Sequence, residues 1–306
     1  MIQAPLKSGP LPRDESSPRR RAIINGDDYG FSRGVNKAII EAHQRGVLTS
    51  ASLMVTGDAF DEAVELARSN PRLAIGLHLV LVCGRAALPP SEIPHLVDAS
   101  GNFPFGPEKT GLRYQFSAAA RRELRNEIRA QLDKFHQTGL KLSHVDGHLH
   151  MHSHPVVFRM LIDLAPEFGI KAVRLPREEL GITLGIDRSN LLTKLTWWWV
   201  FGRLGRYGER RLKRAGIKYA DRVYGLLASG RMTEEFLLAL IPRARGELVE
   251  IYSHPASLIA GEGRDAAVDG GVAELAALLS QRVRGALALS GFEPANYNEL
   301  GARPDL

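Results

Sequence analysis

The sequence predicts an α/β protein built on one parallel sheet covered on both faces, in a single domain. Two observations carry this. Short apolar runs alternate with stretches of helical periodicity, which implies parallel strands joined by crossover helices. The residues that bear chemistry fall near the predicted carboxyl ends of those runs, where parallel barrels collect their active groups. The length of 306 residues, with 44% hydrophobic and 24% charged residues, permits a sizeable core without requiring a second domain.

The elements follow in order. Residues 22–25 form an apolar run that ends at Gly26-Asp27-Asp28 and reads as the first buried strand. Residues 34–45 place Val35, Ala38, Ile39 and Ala42 at helical spacing. A second strand is predicted over 50–55, a helix over 59–68 closed by Asn70-Pro71, and a third strand over 73–82 carrying Gly76-Leu77-His78. Residues 84–117 are rich in Pro, Gly and Ser and read as a long loop; 118–136 reads as an amphipathic helix. A fourth strand, 140–145, leads into a histidine cluster and a helix over 155–168. Strand 171–175, a helical stretch over 186–215, strand 247–252 and helix 272–284 complete the pattern, with a mobile loop expected at 261–271. The flanks are read as a disordered basic leader, 1–21, and a C-terminal tail, 296–306, around a domain over 22–295.

Composition narrows the function. No apolar run approaches the roughly 20 residues that span a bilayer, and residues 1–21 lack the apolar core of a secretory signal. A single cysteine, Cys83, forbids an internal disulfide and fits a reducing cytoplasm. The net charge is +6, yet 191–218 alone holds eight Lys/Arg against one acid, Glu209. The basicity is therefore local, which argues against a nucleic-acid-binding protein.

The most informative stretch is His144-Val-Asp146-Gly-His148-Leu-His150-Met-His152-Ser-His154, which holds half of the ten histidines. Alternate side chains of a strand share a face, so His144, Asp146, His148 and His150 can project together, and imidazole with carboxylate is a divalent-metal ligand set. A His-rich loop without a role is the bland alternative. Asp28, His78 and His148 suffice as three ligands that leave a position open. Asp27 would then be the free base, His254 a candidate acid, and Arg174 the group that orients Asp27. Taken singly, each has a plainer reading: helix capping for Asp27-Asp28, a core histidine for His78, a surface ion pair for Arg174. The remaining histidines sort by position. His144 and Asp146 would orient the ligands, His150 would touch substrate, and His152 and His154 would belong to the loop and the following helix start.

These residues resemble a known family. Asn25-Gly-Asp-Asp-Tyr-Gly30, Gly76-Leu-His-Leu79, His144-Val-Asp-Gly-His-Leu-His150 and Ser253-His-Pro255 resemble the motifs of the YdjC-like carbohydrate deacetylases, over roughly residues 22–292. Ser50-Ala-Ser-Leu-Met-Val55, Ala172-Val-Arg-Leu-Pro-Arg177 and Asp221-Arg-Val-Tyr-Gly-Leu-Leu227 are most similar to the branch associated with hopanoid biosynthesis. Gly26 and Tyr29 stand where the family commonly has alanine and phenylalanine, mild departures that leave the ligand residues unchanged. The resemblance implies a single-domain distorted (β/α) barrel of NodB/YdjC type and one divalent ion, Zn2+ or Mg2+, on Asp28, His78 and His148. It places Asp27 at the base position and, more loosely, Arg174 and His254 at those of the base-orienting arginine and the acid. The implied reaction removes acetyl from an N-acetylglucosamine unit; in the hopanoid branch that unit is linked to bacteriohopanetriol. Deacetylation of soluble chitooligosaccharides, a metal-dependent phosphoesterase and a non-catalytic metal-stabilised binding protein are the competing readings.

One segment stands apart. All three tryptophans, Trp197, Trp198 and Trp199, are consecutive within the basic stretch 191–218, and three successive helical positions fan over about 200°. Trp with Lys/Arg suits a membrane interface. The segment is thus expected to be a helical insert that docks a lipid-linked substrate at the inner face of the cytoplasmic membrane. A buried helix or a subunit contact, as in a homodimer, would also account for it.

Overall fold

Strand β1, Arg20–Tyr29, is the axis of the fold. The computed structural model describes residues 20–259 and 266–301. After β1 come α1 (Arg33–Arg45), β2 (Ser50–Leu53), α2 (Phe60–Ser69), β3 (Ala74–Leu79), α3 (Pro107–Phe116), α4 (Ala118–Gln137) and β4 (Leu142–Gly147). A 3₁₀ segment, His148–Ser153, leads to α5 (Pro155–Phe168), α6 (Leu180–Ile186), α7 (Leu191–Ala215), β5 (Arg222–Tyr224) and α8 (Glu234–Leu240). The last elements are β6 (Leu248–Ser253), α9 (Ala266–Leu279), α10 (Gln281–Leu289) and β7 (Phe292–Ala295). Local chemistry sets several boundaries. The Ser32 and Ser117 hydroxyls accept hydrogen bonds from Val35 N and Ala120 N at the starts of α1 and α4. Gly169 and Gly216 end α5 and α7 in the left-handed conformation.

The sheet is parallel throughout, in the order β4-β3-β2-β1-β6-β5. Strand β7 pairs with Arg20–Ile23 of β1, on the edge that β2 takes further along. Between β4 and β5 the ladder continues irregularly. Val145 bridges Val173, and Ala172 bridges Lys218. The segment expected as strand 171–175 is thus a stave of the wall, held by single bridges rather than a regular ladder. Together with the hydrogen bond from Val223 N of β5 to the Arg177 carbonyl, these bridges join the two edges irregularly into a distorted (β/α) barrel, the expected class.

Two apolar regions stabilise it. The larger lies between staves and helices, with Ile24, Leu53, Leu77 and Val145 meeting Ile39, Ala63, Leu132 and Leu161. The smaller, with Ile23, Ala172, Val223, Leu248, Tyr297 and Leu300, plugs the end of the barrel where the strands begin. Tyr297 and Leu300 come from the expected tail, and β1 starts inside the expected leader, whose residues 1–19 lie outside the described residues.

The expected loop 84–117 contains α3, and of the helical stretch 186–215 only Ile186, which ends α6, and 191–215, which form α7, are helical. Of the expected loop 261–271, residues 266–271 begin α9, and 260–265 lie outside the described residues. Strands β5 and β7, of three and four residues, are too short for a periodic signal.

Candidate metal centre and active site

A regular strand would send neighbouring side chains to opposite faces, yet Asp27 and Asp28 both serve the mouth of the barrel. The register of β1 on β2 shifts between Gly26 and Tyr29, and Asp28 adopts φ +62°, a conformation tolerated by Asp and Asn. This bulge turns Asp27 inward and leaves Asp28 at the rim.

Asp28 Oδ1 lies 3.2 Å from His78 Nε2 and 3.1 Å from His148 Nδ1. The three donor atoms all lie within 4.8 Å of one another. Ligands about 2.0–2.2 Å from one ion, at tetrahedral or octahedral angles, stand roughly 3.0–3.5 Å apart. The donor chemistry and spacing therefore fit one divalent cation. His78 comes from β3, where Asp146 of β4 accepts from its Nδ1 at 2.8 Å. Because a carboxylate only accepts, Nδ1 carries its hydrogen toward Asp146, while Nε2 faces Asp28 and the ion position, where a bound cation would take the place of its proton. Burial, the largest single influence, disfavours charge on His78, but the Asp146, Asp28 and Asp27 carboxylates together outweigh it and push its pKa up to about 10. Burial likewise opposes charge on Asp28, while His148 and His78 hold its carboxyl well below the usual carboxylate range. A site that attracts protons this strongly attracts a cation for the same reason.

Beneath it lies a fully buried ion network centred on Arg174. Its Nη1 and Nη2 donate to Asp27 Oδ2 and Oδ1, each at 2.6 Å, and its Nε donates to Glu250 Oε1 at 2.8 Å. Nη1 also stands 2.9 Å from Asp146 Oδ2, and the guanidinium lies 4.4 Å from the centre of the Tyr252 ring. Desolvation works against the guanidinium, but Asp146, Asp27 and Glu250 hold its pKa well above the ordinary value. A second group of possible ligands, Asp27, His78 and Asp146, is thus already served by an arginine cation.

A relay of polar side chains fixes the orientation of both carboxylates. Ser52 Oγ donates to Asp146 Oδ2 at 2.7 Å. It accepts from Asn25 Nδ2 at 2.9 Å and stands 3.1 Å from His144 Nε2. Asn25 Nδ2 also donates to Asp27 Oδ1 at 2.8 Å. His144 stacks on Tyr297 with ring centres 4.0 Å apart, and burial lowers its pKa to about 4. Of the expected cluster, the structure groups His144 and Asp146 inside the barrel and puts His148 at the rim. His150 turns aside, at φ +56°, to share a 2.7 Å hydrogen bond with the Tyr252 hydroxyl. His152 is buried against the Arg174 carbonyl oxygen, and His154 caps α5. His254, 32% exposed, holds its Nε2 4.0 Å from Asp27 Oδ2.

Sequence reasoning missed Glu250, Asn25, Ser52 and Tyr252. Each is a polar residue within an apolar buried strand, and Glu250 in Leu248–Ser253 was the signal available. Trp197, Trp198 and Trp199 are 42%, 44% and 58% exposed on α7, so the buried-helix reading does not hold. Phe201 of the same helix reaches His150 with ring centres 5.5 Å apart.

A distorted parallel barrel thus gathers an Asp-His-His centre and a buried Asp-Arg pair at one mouth. The chain belongs to the YdjC-like family, whose model matches residues 21–289. It is 31% identical over 284 residues to a carbohydrate deacetylase of Vibrio vulnificus, covering 92% of this chain and 96% of that one. To the carbohydrate deacetylase of Brevibacillus brevis it is 42% identical over 156 residues, 51% of this chain and 59% of the relative. Several of the stronger matches share this shape and span only about three fifths of the relatives' lengths. A solved structure from Enterococcus faecalis V583, described as a candidate for cellobiose-phosphate cleavage, superposes with a TM-score of 0.71. It is 27% identical, with 92% of this chain and 99% of that one covered.

Proposed function

We propose that the protein is a metal-dependent N-deacetylase acting on an N-acetylglucosamine unit. The observation that carries this reading is the juxtaposition of two differently employed aspartates: Asp28 with His78 and His148 as ligands, and Asp27 gripped by Arg174. A divalent ion held by Asp28, His78 and His148 would polarise the amide carbonyl and lower the pKa of water; the two imidazoles favour zinc over magnesium.

The chain supplies the rest. Asp27 Oδ1 accepts from both Arg174 and Asn25, whereas among the described residues Oδ2 accepts from Arg174 alone and faces His254. Oδ2 therefore has the lone pair for the proton of the attacking water. As the water oxygen bonds to the carbonyl carbon and the C–N bond breaks, the amine nitrogen takes a proton from His254, giving acetate and a free amino sugar. Relatives named carbohydrate deacetylases support the substrate class.

The narrower substrate is a lipid-linked one, N-acetylglucosaminyl bacteriohopanetriol, supported by the hopanoid-branch motifs and by the exposed Trp197–Trp199 at a helix that also touches His150. Among the described residues no helix is long and apolar enough to cross a membrane, so such a substrate would be met by peripheral contact. Asp27→Asn should retain bound metal while acetate release stops; deacetylation that survives in this variant removes the base assignment. Mass spectrometry of the glycolipid incubated with enzyme and metal should show loss of one acetyl unit. Activity confined to soluble chitooligosaccharides would place the chain with the broader family.

A further inference from the structure

Helix α7 is divided along its length in a way that the barrel does not require. Its inward face carries Lys194, Gly205, Gly208 and Leu212, all buried, and Gly208 packs so closely on Leu175 and Phe158 that a Cβ there would come within 2.7 Å and 2.9 Å. On the outward face, Leu192, Leu195, Trp199, Arg203, Arg206 and Arg210 fall within roughly 80° of one another at 3.6 residues per turn. The first half of this stripe is apolar, with Leu192 79% and Trp199 58% exposed. The second half is cationic and lines a shallow hollow formed by Arg203, Arg206, Tyr207, Arg210 and Arg211. Glu209, the acid of this segment, turns to Arg177 and Lys213 instead. Among the described residues no carboxylate pairs with Arg203, Arg206, Arg210 or Arg211; Arg203 and Arg211 instead lie over the rings of Trp199 and Tyr207. Each block covers about 10 Å of helix.

We infer that the outward face of α7 docks on an anionic phospholipid bilayer, with Leu192, Leu195 and Trp199 entering the interface and Arg203, Arg206 and Arg210 on lipid phosphates. Unpaired arginines beside exposed Trp and Leu complement a surface that is both negative and apolar. Phe201, on the inward side of the same helix, touches His150, so the mouth of the barrel lies about one helix diameter from the bilayer. This deepens the membrane-contact part of the proposed function, and its test does not depend on the reaction.

All three tryptophans lie in α7, so intrinsic fluorescence reports contact directly. Full-length protein is titrated with vesicles of brominated phosphatidylcholine alone or with 30% phosphatidylglycerol. Quenching is expected with the anionic vesicles, weakening in high salt. Arg203→Gln, Arg206→Gln and Arg210→Gln should each cut binding about fivefold, while the thermal unfolding midpoint stays that of the wild type. Absence of quenching at low salt overturns the inference, as does binding that survives loss of all three arginines. A concentration-dependent dimer that buries the tryptophans without vesicle binding overturns it too, and leaves the hydrolase reading intact.

Discussion

Gly76 lies flat against the imidazole of His144: a Cβ at position 76 would sit 2.3 Å from His144 Cε1 and 2.4 Å from Nδ1. The ring cannot retreat, because Tyr297 stacks on its other face at 4.0 Å. His144 in turn meets Ser52, which holds Asp146. Gly76→Ala is expected to destabilise the fold by about 1–3 kcal/mol, as overpacked cores do. Because the displaced ring loosens Asp146 and hence His78, metal affinity should fall as well. Urea unfolding and metal titration check the two effects; a variant of wild-type stability and affinity would show that the ring has room to move.

Arg174→Lys tests the grip on Asp27. Lysine keeps the positive charge among Asp27, Asp146 and Glu250 but cannot reproduce the paired 2.6 Å hydrogen bonds to Asp27. The expected outcome is a kcat lowered about a hundredfold, the scale of a roughly 1 Å misplacement of a catalytic group, with KM changed far less. Arg174→Met should be harsher, losing about 3–5 kcal/mol of stability, since it leaves buried carboxylates without a counter-charge. Steady-state kinetics beside chemical denaturation separates the two; equal losses in KM and kcat for the lysine variant would argue for a role in substrate binding.

How much of this was legible beforehand depends on what each feature needs. Asp27, Asp28, His78, His148, Arg174 and His254 stand at the ends of apolar runs, so a parallel fold that gathers strand ends brings them together. The bulge at Asp28 was not legible, because a backbone at φ +62° leaves no trace in residue type when Asp itself tolerates it. Nor was the different fate of His148 and His150: two successive left-handed residues, Leu149 and His150, break the alternation that a strand would have kept. Glu250 was hidden because its meaning lies in Arg174, 76 residues away. The stave at 171–175 was readable as apolar sequence, but its single-bridge pairing depends on neighbours distant in the chain.

Stability should depend on acid through His152. Burial, the largest influence, lowers its pKa from 6.5 to about 4. A folded-state pKa depressed below the unfolded value means that the unfolded chain binds the extra proton first. The contribution is therefore fully present above pH 6.5 and is lost as pH falls from 6.5 toward 4, to a total on the order of 3 kcal/mol. Comparing the unfolding free energy of the protein and its His152→Asn variant between pH 7.5 and pH 4.5 isolates this contribution. The wild type should lose more stability on acidification than the variant; parallel curves would mean that His152 is protonated without cost in the folded state.

Removing the ion should affect fold and activity separately, and Asp28 offers the means. Its left-handed backbone is one that asparagine also adopts, so Asp28→Asn keeps the bulge while withdrawing the carboxylate charge from His78 and His148. Asp28→Ala would add backbone strain of about 1–2 kcal/mol at the same position. With a cation at a hundred times its dissociation constant, the wild-type protein should gain about 2.7 kcal/mol in unfolding free energy, lost again on chelation. The Asn variant should unfold near the chelated wild type whether or not cation is added, and should release no acetate. The decisive measurement is the cation-dependent shift in thermal midpoint: a full shift in Asp28→Asn would place the ion elsewhere among the acids of the mouth, and the ligand set proposed for it would have to be abandoned.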